Sequence, residues 1–505
     1  MRYALLSGIA GFLLAASDSF DSAHLNDANK VTRNHVQFKR LYQHADVEMA
    51  GLRAVAVREG DDYWLQQLAQ REDTYSMLIL AAQNGDPAER LEWLSRAASL
   101  GSAEAQFQLA LEVSQSEERV SLLTSSANQA FLPAQHALAN WYLMQADIEQ
   151  AIPWLLKTAS HFPDDALSLA LLQWQEGERE QAKRWFQQAA NADNVAAQRY
   201  VSALAEGEQA LPELSSNPIL FRPLNTQVQT QDKRCSMQIL PLALSLSNFV
   251  QAKRMIDQLF SDERLQRLPL CVSEPVWMSA QDLPCSDLNS AGRARLVCRL
   301  QQLASIIRLT GTTHVVLFTP AARAYVDAGI MYLDSNDTYS VFVHELAHFA
   351  GFADEYPMSE RIADVHCERQ QAPNILFAGE LTYQPIARAE YWESLITNNA
   401  DDQLGIYPAR TCANTQVQAY KLTAARTFME FHDTEYIPDI YLQLWEEQLL
   451  QRKHWYPVAI NLAREYQQLG RHSEAQEWRE IAQQQAQLPP QTVPFASSLE
   501  VVPNN

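Results

Sequence analysis

The stretch SVFVHELAHFAGFADEYPMSE, residues 340–360, decides how the centre of this chain is read. His344 and His348 stand four apart, so on a helix their rings share one face, one turn from each other. Two imidazoles so placed can hold one zinc ion. Glu345 projects to the side of that face, where it can reach a metal-bound water without binding the metal. Catalytic zinc takes three protein ligands and keeps a fourth position open. Gly351 can adopt a left-handed conformation and end the helix, turning the chain back under the metal. Asp354 arrives three residues later, an acidic side chain placed to be a candidate third ligand. The helix itself, YSVFVHELAHFAG, is apolar enough to be buried, and two histidines and a glutamate in a buried helix need partners.

The completed string H-E-x-x-H-x-x-G-x-x-D resembles the metzincin metallopeptidases, in which the last position is usually His and in some members Asp. HELAHFAGFADEY is also similar to the IgA-peptidase-like metallopeptidases, which carry Asp-Glu-Tyr shortly after the two histidines. In that family the glycine and the Asp can sit one residue further along, so Glu355 stays open as the third ligand beside the preferred Asp354. The metzincin resemblance implies a methionine turn beneath the metal. Met358 stands too close to the ligands to make it, and Met429 in AARTFMEFHDTEY is the candidate, with a plain core methionine as the alternative. A glutamate from a second helix would be a rival ligand scheme, and SERIAD offers Glu360 and Asp364. Tyr356 is a candidate for stabilising an oxyanion or orienting a ligand. His366 and His432 have no partner at useful spacing and read as ordinary histidines.

Around this centre, composition sets bounds. A chain of 505 residues holds two or three domains, and 47% hydrophobic with 20% charged residues describes a folded protein. A formal charge of -21 argues against nucleic acid and anionic membrane surfaces as partners. The N-terminus, MRYALLSGIAGFLLAASDSF, places Arg2 before an apolar run from Ala4 to Ala16, followed by small residues. That is the layout of a cleavable secretory signal, residues 1–17. No other segment is long and apolar enough to span a bilayer, so no integral membrane segment is expected after cleavage. Six cysteines without a CxxC pair fit disulfides in an oxidising compartment. Neighbour pairing is expected: Cys235 with Cys271, Cys285 with Cys298, and Cys367 with Cys412. The expected location is periplasmic or extracellular.

The flanks differ in kind. The segments beginning at Trp93, Leu122, Trp154 and Trp185 each run a small-residue helix, a break, and a second helix with Ala and Leu on one face. Ala105-Gln106, Ala134-Gln135 and Ala197-Gln198 fall at matching places, with a period of about 30 residues. The pattern resembles the tetratricopeptide group and its relatives. A similar unit begins at Trp455. These readings give residues 18–207 as a helical repeat domain, 208–233 as a linker, 234–450 as a zincin-like domain, 451–487 as a tetratricopeptide-like hairpin and 488–505 as a disordered tail. Within the central domain, CSMQILPLAL, THVVLFTP and GIMYLDSND read as strands, the last as the edge strand beside the active-site helix. NFVQAKRMIDQLFSDERLQRL and ARLVCRLQQLASIIRLTG read as helices. The fold class is therefore α+β, an N-terminal α-solenoid followed by a zincin-type domain.

The function these readings imply is an exported zinc metallopeptidase. His344, His348 and Asp354 hold zinc, Glu345 is the general base, and the partner is a protein or peptide substrate, cell-wall peptides included. The competing class is a non-enzymatic scaffold whose repeats hold a protein partner and whose zinc site is structural or decayed.

Overall fold

The computed structural model describes residues 53–492 apart from short stretches, the longest of them within 211–218, 225–233, 359–371 and 378–385. The expected signal and most of the expected tail lie outside the described residues. The chain divides into two units, Met1–Gln198 and Arg199–Asn505.

The first unit is a stack of antiparallel helices: α1 (Asp62–Gln70), α2 (Thr74–Gln83), α3 (Pro87–Ser99), α4 (Ala103–Glu112), α5 (Ser116–Asn128), α6 (Leu132–Met144), α7 (Ile148–Thr158), α8 (Pro163–Gln175) and α9 (Arg179–Asn191), with α10 (Val195–Glu206) following. From α1 to α9 each helix packs on its sequence neighbour. The helix starts are capped locally: the Asp86 and Ser102 side chains accept backbone N–H groups of α3 and α4. The interior is built from alanines, among them Ala97, Ala105, Ala134, Ala151, Ala166 and Ala182, each fully buried. Small side chains let the helices approach closely, so each pair covers its apolar face with the next.

The matching glutamines have a physical reason. The side-chain amides of Gln106, Gln135 and Gln198 donate to the carbonyls of Ala98, Ala127 and Ala190, each eight residues back, at 3.2, 3.0 and 3.3 Å. Each ties the start of one helix to the end of the previous one, where a carbonyl has no helical partner. In α8 the shorter Asp165 stands two residues after a proline, as Gln135 does. Gln188 takes over that duty by donating to the Ala159 carbonyl at 3.2 Å, and Asp165 pairs with His136 at 2.8 Å.

The second unit is α+β. Its strands are β1 (Phe221–Pro223), β2 (Arg234–Cys235), β3 (Met237–Ala243), β4 (Leu270–Ser273), β5 (Val276–Trp277), β6 (Cys285–Ser290), β7 (Arg293–Cys298), β8 (His314–Thr319), β9 (Tyr325–Asp327), β10 (Ile330–Asp334), β11 (Leu376–Phe377), β12 (Leu404–Ala409), β13 (Ala419–Thr423) and β14 (Gln491–Thr492). The helices are α11 (Leu246–Ser261), α12 (Ala304–Thr310), α13 (Tyr339–His348), α14 (Ile386–Asn398), α15 (Asp439–Gln451), α16 (Val458–Gln468) and α17 (His472–Gln487).

The main sheet runs β1-β4-β3-β8-β10-β9, with β5 beside β3. Strands β4, β3, β8 and β10 are parallel, while β1 and β9 are antiparallel at the edges. Every residue of β8 is buried, as expected of a parallel strand covered on both faces. Helix α11 packs on β3 and β8, and α13 lies against α11, β9 and β10.

The structure departs from the sequence reading at three places. GIMYLDSND forms β10, an inner strand, and the edge strand beside α13 is β9. Residues 293–298 form β7 instead of the start of a helix. They pair with β6 in register Cys285↔Cys298 through Ser290↔Arg293, and the Cys285–Cys298 disulfide closes the open end of that hairpin. The C-terminal hairpin α16–α17 does not stand apart as a further repeat. Val458, Leu462 and Trp478 share one core with Leu240, Val315, Leu317 and Tyr332 of the sheet. The other cysteines pair Cys235–Cys271 and Cys367–Cys412, as expected, and no free cysteine remains. The three disulfides fit an oxidising compartment.

Candidate metal centre

Helix α13 begins at Thr338, whose hydroxyl accepts the Val341 N–H. Val341, Phe342, Val343, Leu346 and Ala347 are buried, which fixes the helix rotation and sends both histidines to one side. The helix stops where expected. Gly351 takes φ 82°, and the Phe352 N–H returns to the Ala347 carbonyl at 3.3 Å. That bend brings the Phe352 carbonyl back to the ring of His348, whose Nδ1 lies 2.8 Å away. On the other ring, His344 Nδ1 lies 2.8 Å from the Phe428 carbonyl. A carbonyl only accepts, so both Nδ1 atoms carry the proton, and each Nε2 turns its lone pair inward.

The inward-facing atoms form a small triangle. His344 Nε2 and His348 Nε2 are 3.3 Å apart, and Asp354 Oδ1 lies 3.1 Å from the first and 3.2 Å from the second. A tetrahedral ion with ligands at about 2.0–2.1 Å sets neighbouring ligand atoms about 3.3–3.4 Å apart. The observed triangle therefore has one point about 2 Å from all three corners. Asp354 Oδ1 is moreover a buried acceptor whose near neighbours are those two imidazole nitrogens, with no backbone or hydroxyl donor on it. A buried acceptor left unmatched carries a desolvation cost that a cation would remove. The residues present thus fit a zinc ion, and among the described residues His344, His348 and Asp354 are the group so arranged.

Glu355 is not a ligand. Its carboxylate turns the other way, is 1% exposed, and is filled by protein donors. The Tyr441 hydroxyl, the Thr427 hydroxyl and the Asn374 amide donate to it at 2.6, 2.6 and 3.0 Å, with Lys421 Nζ at 3.4 Å. Consecutive residues in an extended bend point to opposite sides, so only one of Asp354 and Glu355 can face the metal. Glu360, Asp364 and His366 lie outside the described residues. His432 is an exposed histidine beside Asp433.

Glu345 sits next to the triangle and is 7% exposed. Burial raises its pKa above the ordinary carboxylate value, against the opposing pull of His348 and His344. Tyr356 is partly exposed, its ring stacked 6.3 Å from that of His344. Its hydroxyl hydrogen-bonds the Asp354 carboxylate, and burial followed by the Asp354 charge raises its pKa. In the metal-free protein, burial alone would lower His348, but the Asp354 carboxylate overrides it and holds the ring up at about 9. Asp354 is correspondingly held well below the usual carboxylate range by the two imidazoles, burial notwithstanding.

Met429 is fully buried in the turn that follows Thr427. The residue before it, Phe428, orients His344, and its own carbonyl accepts the Glu355 N–H at 2.9 Å. Met358 packs instead in a separate cluster with Cys367, Phe377 and Cys412, under the small sheet β11-β13-β12. Reasoning from the sequence missed Asn374, Lys421, Thr427 and Tyr441. They lie far along the chain from the motif and carry no local signature of their own.

No family profile matches the chain, and no curated protein does. Several solved structures are similar to parts of it. The antigen c5321 of uropathogenic Escherichia coli, which displays an SLR fold, is 20% identical, with 36% of this chain and 43% of that chain covered and a TM-score of 0.27. The chain thus spans less than half the length of that protein. A Sel1 repeat protein from Oxalobacter formigenes is 18% identical over 33% of this chain and 78% of its own, with a TM-score of 0.25. MamA is 21% identical over 28% of this chain and 95% of its own, with a TM-score of 0.22.

Proposed function

We propose that the chain is an exported zinc-dependent peptidase, with a helical-repeat region preceding its hydrolytic domain. One observation carries this reading: His344 Nε2, His348 Nε2 and Asp354 Oδ1 converge within 3.1–3.3 Å of one another, with the Asp354 oxygen otherwise unpartnered. His344, His348 and Asp354 would hold the zinc ion, which when bound supplies a Lewis acid and a water acidified towards neutral pH. Glu345 has the position and the raised pKa of a general base. It takes the proton of the attacking water and hands it to the departing amine. Tyr356, partly exposed beside the triangle, can donate to the oxygen of the scissile carbonyl as charge builds there. The disulfides support an oxidising location for this work.

A second reading is favoured by the repeats. The helical stack presents a surface of the kind that solenoids use to hold proteins, so the chain could act as a scaffold for a protein partner with a structural zinc site. One variant separates the two. With Glu345→Gln, a peptidase keeps its zinc and loses hydrolysis of a peptide library, whereas a scaffold shows no hydrolysis in either form and keeps its partner.

A further inference from the structure

Behind the ligand triangle lies a buried charged cluster centred on Glu355. Glu355 immediately follows the ligand Asp354. Its carboxylate gathers donors from four separate places: Asn374 just before β11, Lys421 on β13, Thr427 in the turn that holds Phe428 and Met429, and Tyr441 on α15. Lys421 is itself 6% exposed and pairs also with Glu430, at 2.5 Å. Burying one lysine and one glutamate seldom stabilises a fold more than an apolar pair would.

What the cluster does is connect two ligands. On one side Asn374 brackets the residue before Asp354, accepting the Ala353 N–H at 2.9 Å and donating to the Ala353 carbonyl at 2.8 Å. Thr411 donates to the Asp354 carbonyl at 2.7 Å. On the other side, Thr427 donates to Glu355 at 2.6 Å and accepts the Met429 N–H at 3.2 Å. Those two bonds fix the turn holding the Phe428 carbonyl, which in turn orients His344. The Glu355 N–H closes the loop on the Met429 carbonyl at 2.9 Å. Glu355 is therefore joined both to the third ligand, through the chain, and to the turn that aims the first.

We propose that Glu355 is a positioning residue that sets the separation between the Asp354 and His344 ligand atoms, with Thr427 as the link between them. This rests on the metal reading above. Partners behind metal ligands typically change affinity by about 10–100-fold when removed, and here one carboxylate serves two ligands at once.

The test is equilibrium zinc affinity of the full chain, measured by chelator competition, together with the visible spectrum of the cobalt-loaded protein. Four variants are compared: Glu355→Gln, Thr427→Val, Thr427→Ser and Leu449→Ala. The last removes a fully buried side chain of α15 that takes no part in the cluster. We expect Glu355→Gln and Thr427→Val to weaken zinc binding by at least about tenfold and to alter the cobalt bands. Thr427→Ser keeps the hydroxyl and should bind as the wild type does. Leu449→Ala should melt earlier with its affinity unchanged. Should Glu355→Gln fail to fold, the Val and Ser variants at 427 decide. Wild-type affinity in Thr427→Val, or weakening by Leu449→Ala equal to that by Glu355→Gln, would overturn the proposal while leaving the metal site standing. Failure of the wild type to bind zinc would overturn both.

Discussion

Zinc and a proton compete for the same nitrogen of His348, and that competition sets a measurable pH dependence. Without metal, burial would lower the ring, but Asp354 Oδ1 at 3.2 Å holds its pKa up at about 9. The ordinary value is about 6.5, and a difference of about 2.5 pH units corresponds to about 3 kcal/mol. Asp354 is the other half of this interaction and is not counted again. The sign follows from the raised folded-state pKa. The stabilisation is complete below about pH 6.5 and is lost as pH rises through about 9. Metal-free protein should therefore melt roughly 5–10 °C lower at pH 9 than at pH 6.5. Zinc needs the neutral ring, so each ion bound between pH 6.5 and 8.5 expels about one proton. Apparent affinity should then rise about tenfold per pH unit. Chelator competition at pH 6.5, 7.5 and 8.5, beside melting curves of chelator-stripped protein, measures both. An affinity flat across that range, or a metal-free protein that gains stability towards pH 9, would refute the reasoning.

Other outcomes are equally specific. Glu345→Gln should retain stoichiometric zinc while peptide hydrolysis falls by about 10²–10⁴-fold; equal loss of metal and activity would show that Glu345 is structural. Lys421→Met leaves the buried Glu355 and the half-buried Glu430 without their cation, and urea denaturation should register a loss of about 3–5 kcal/mol; a loss below about 1 kcal/mol would contradict the assigned pairing. Gly329→Ala would drive a Cβ into the backbone of Pro457 and Val458. It should cost about 3 kcal/mol and loosen α16 from the sheet, seen as earlier proteolysis near residue 455; unchanged stability would mean that the hairpin does not seat against β10 as described.

How much of this was legible in the sequence depended on the range of the interaction concerned. His344, Glu345, His348 and Gly351 lie within two helical turns, where the 3.6-residue period and the needs of a tight bend decide the geometry. Gln106, Gln135 and Gln198 were visible as a repeat because each acts on a carbonyl only eight residues away. Asp354 and Glu355 could not be told apart from spacing. What separates them is the set of donors at Asn374, Thr427 and Tyr441, up to 86 residues distant. Residues 293–298 misled because Leu296 and Leu300 also suit a helical stripe, while the pairing that makes them a strand comes from Cys285. The hairpin beginning at Val458 has a repeat-like pattern because any helix pair covering a sheet also needs one apolar face.

The most direct test of the central claim is metal content. Protein purified without chelator and reloaded with zinc should carry about one ion per chain, and His348→Ala, treated identically and still folded, should carry almost none. A wild type that takes up no zinc, or a His348→Ala variant that holds as much as the wild type, would contradict the account.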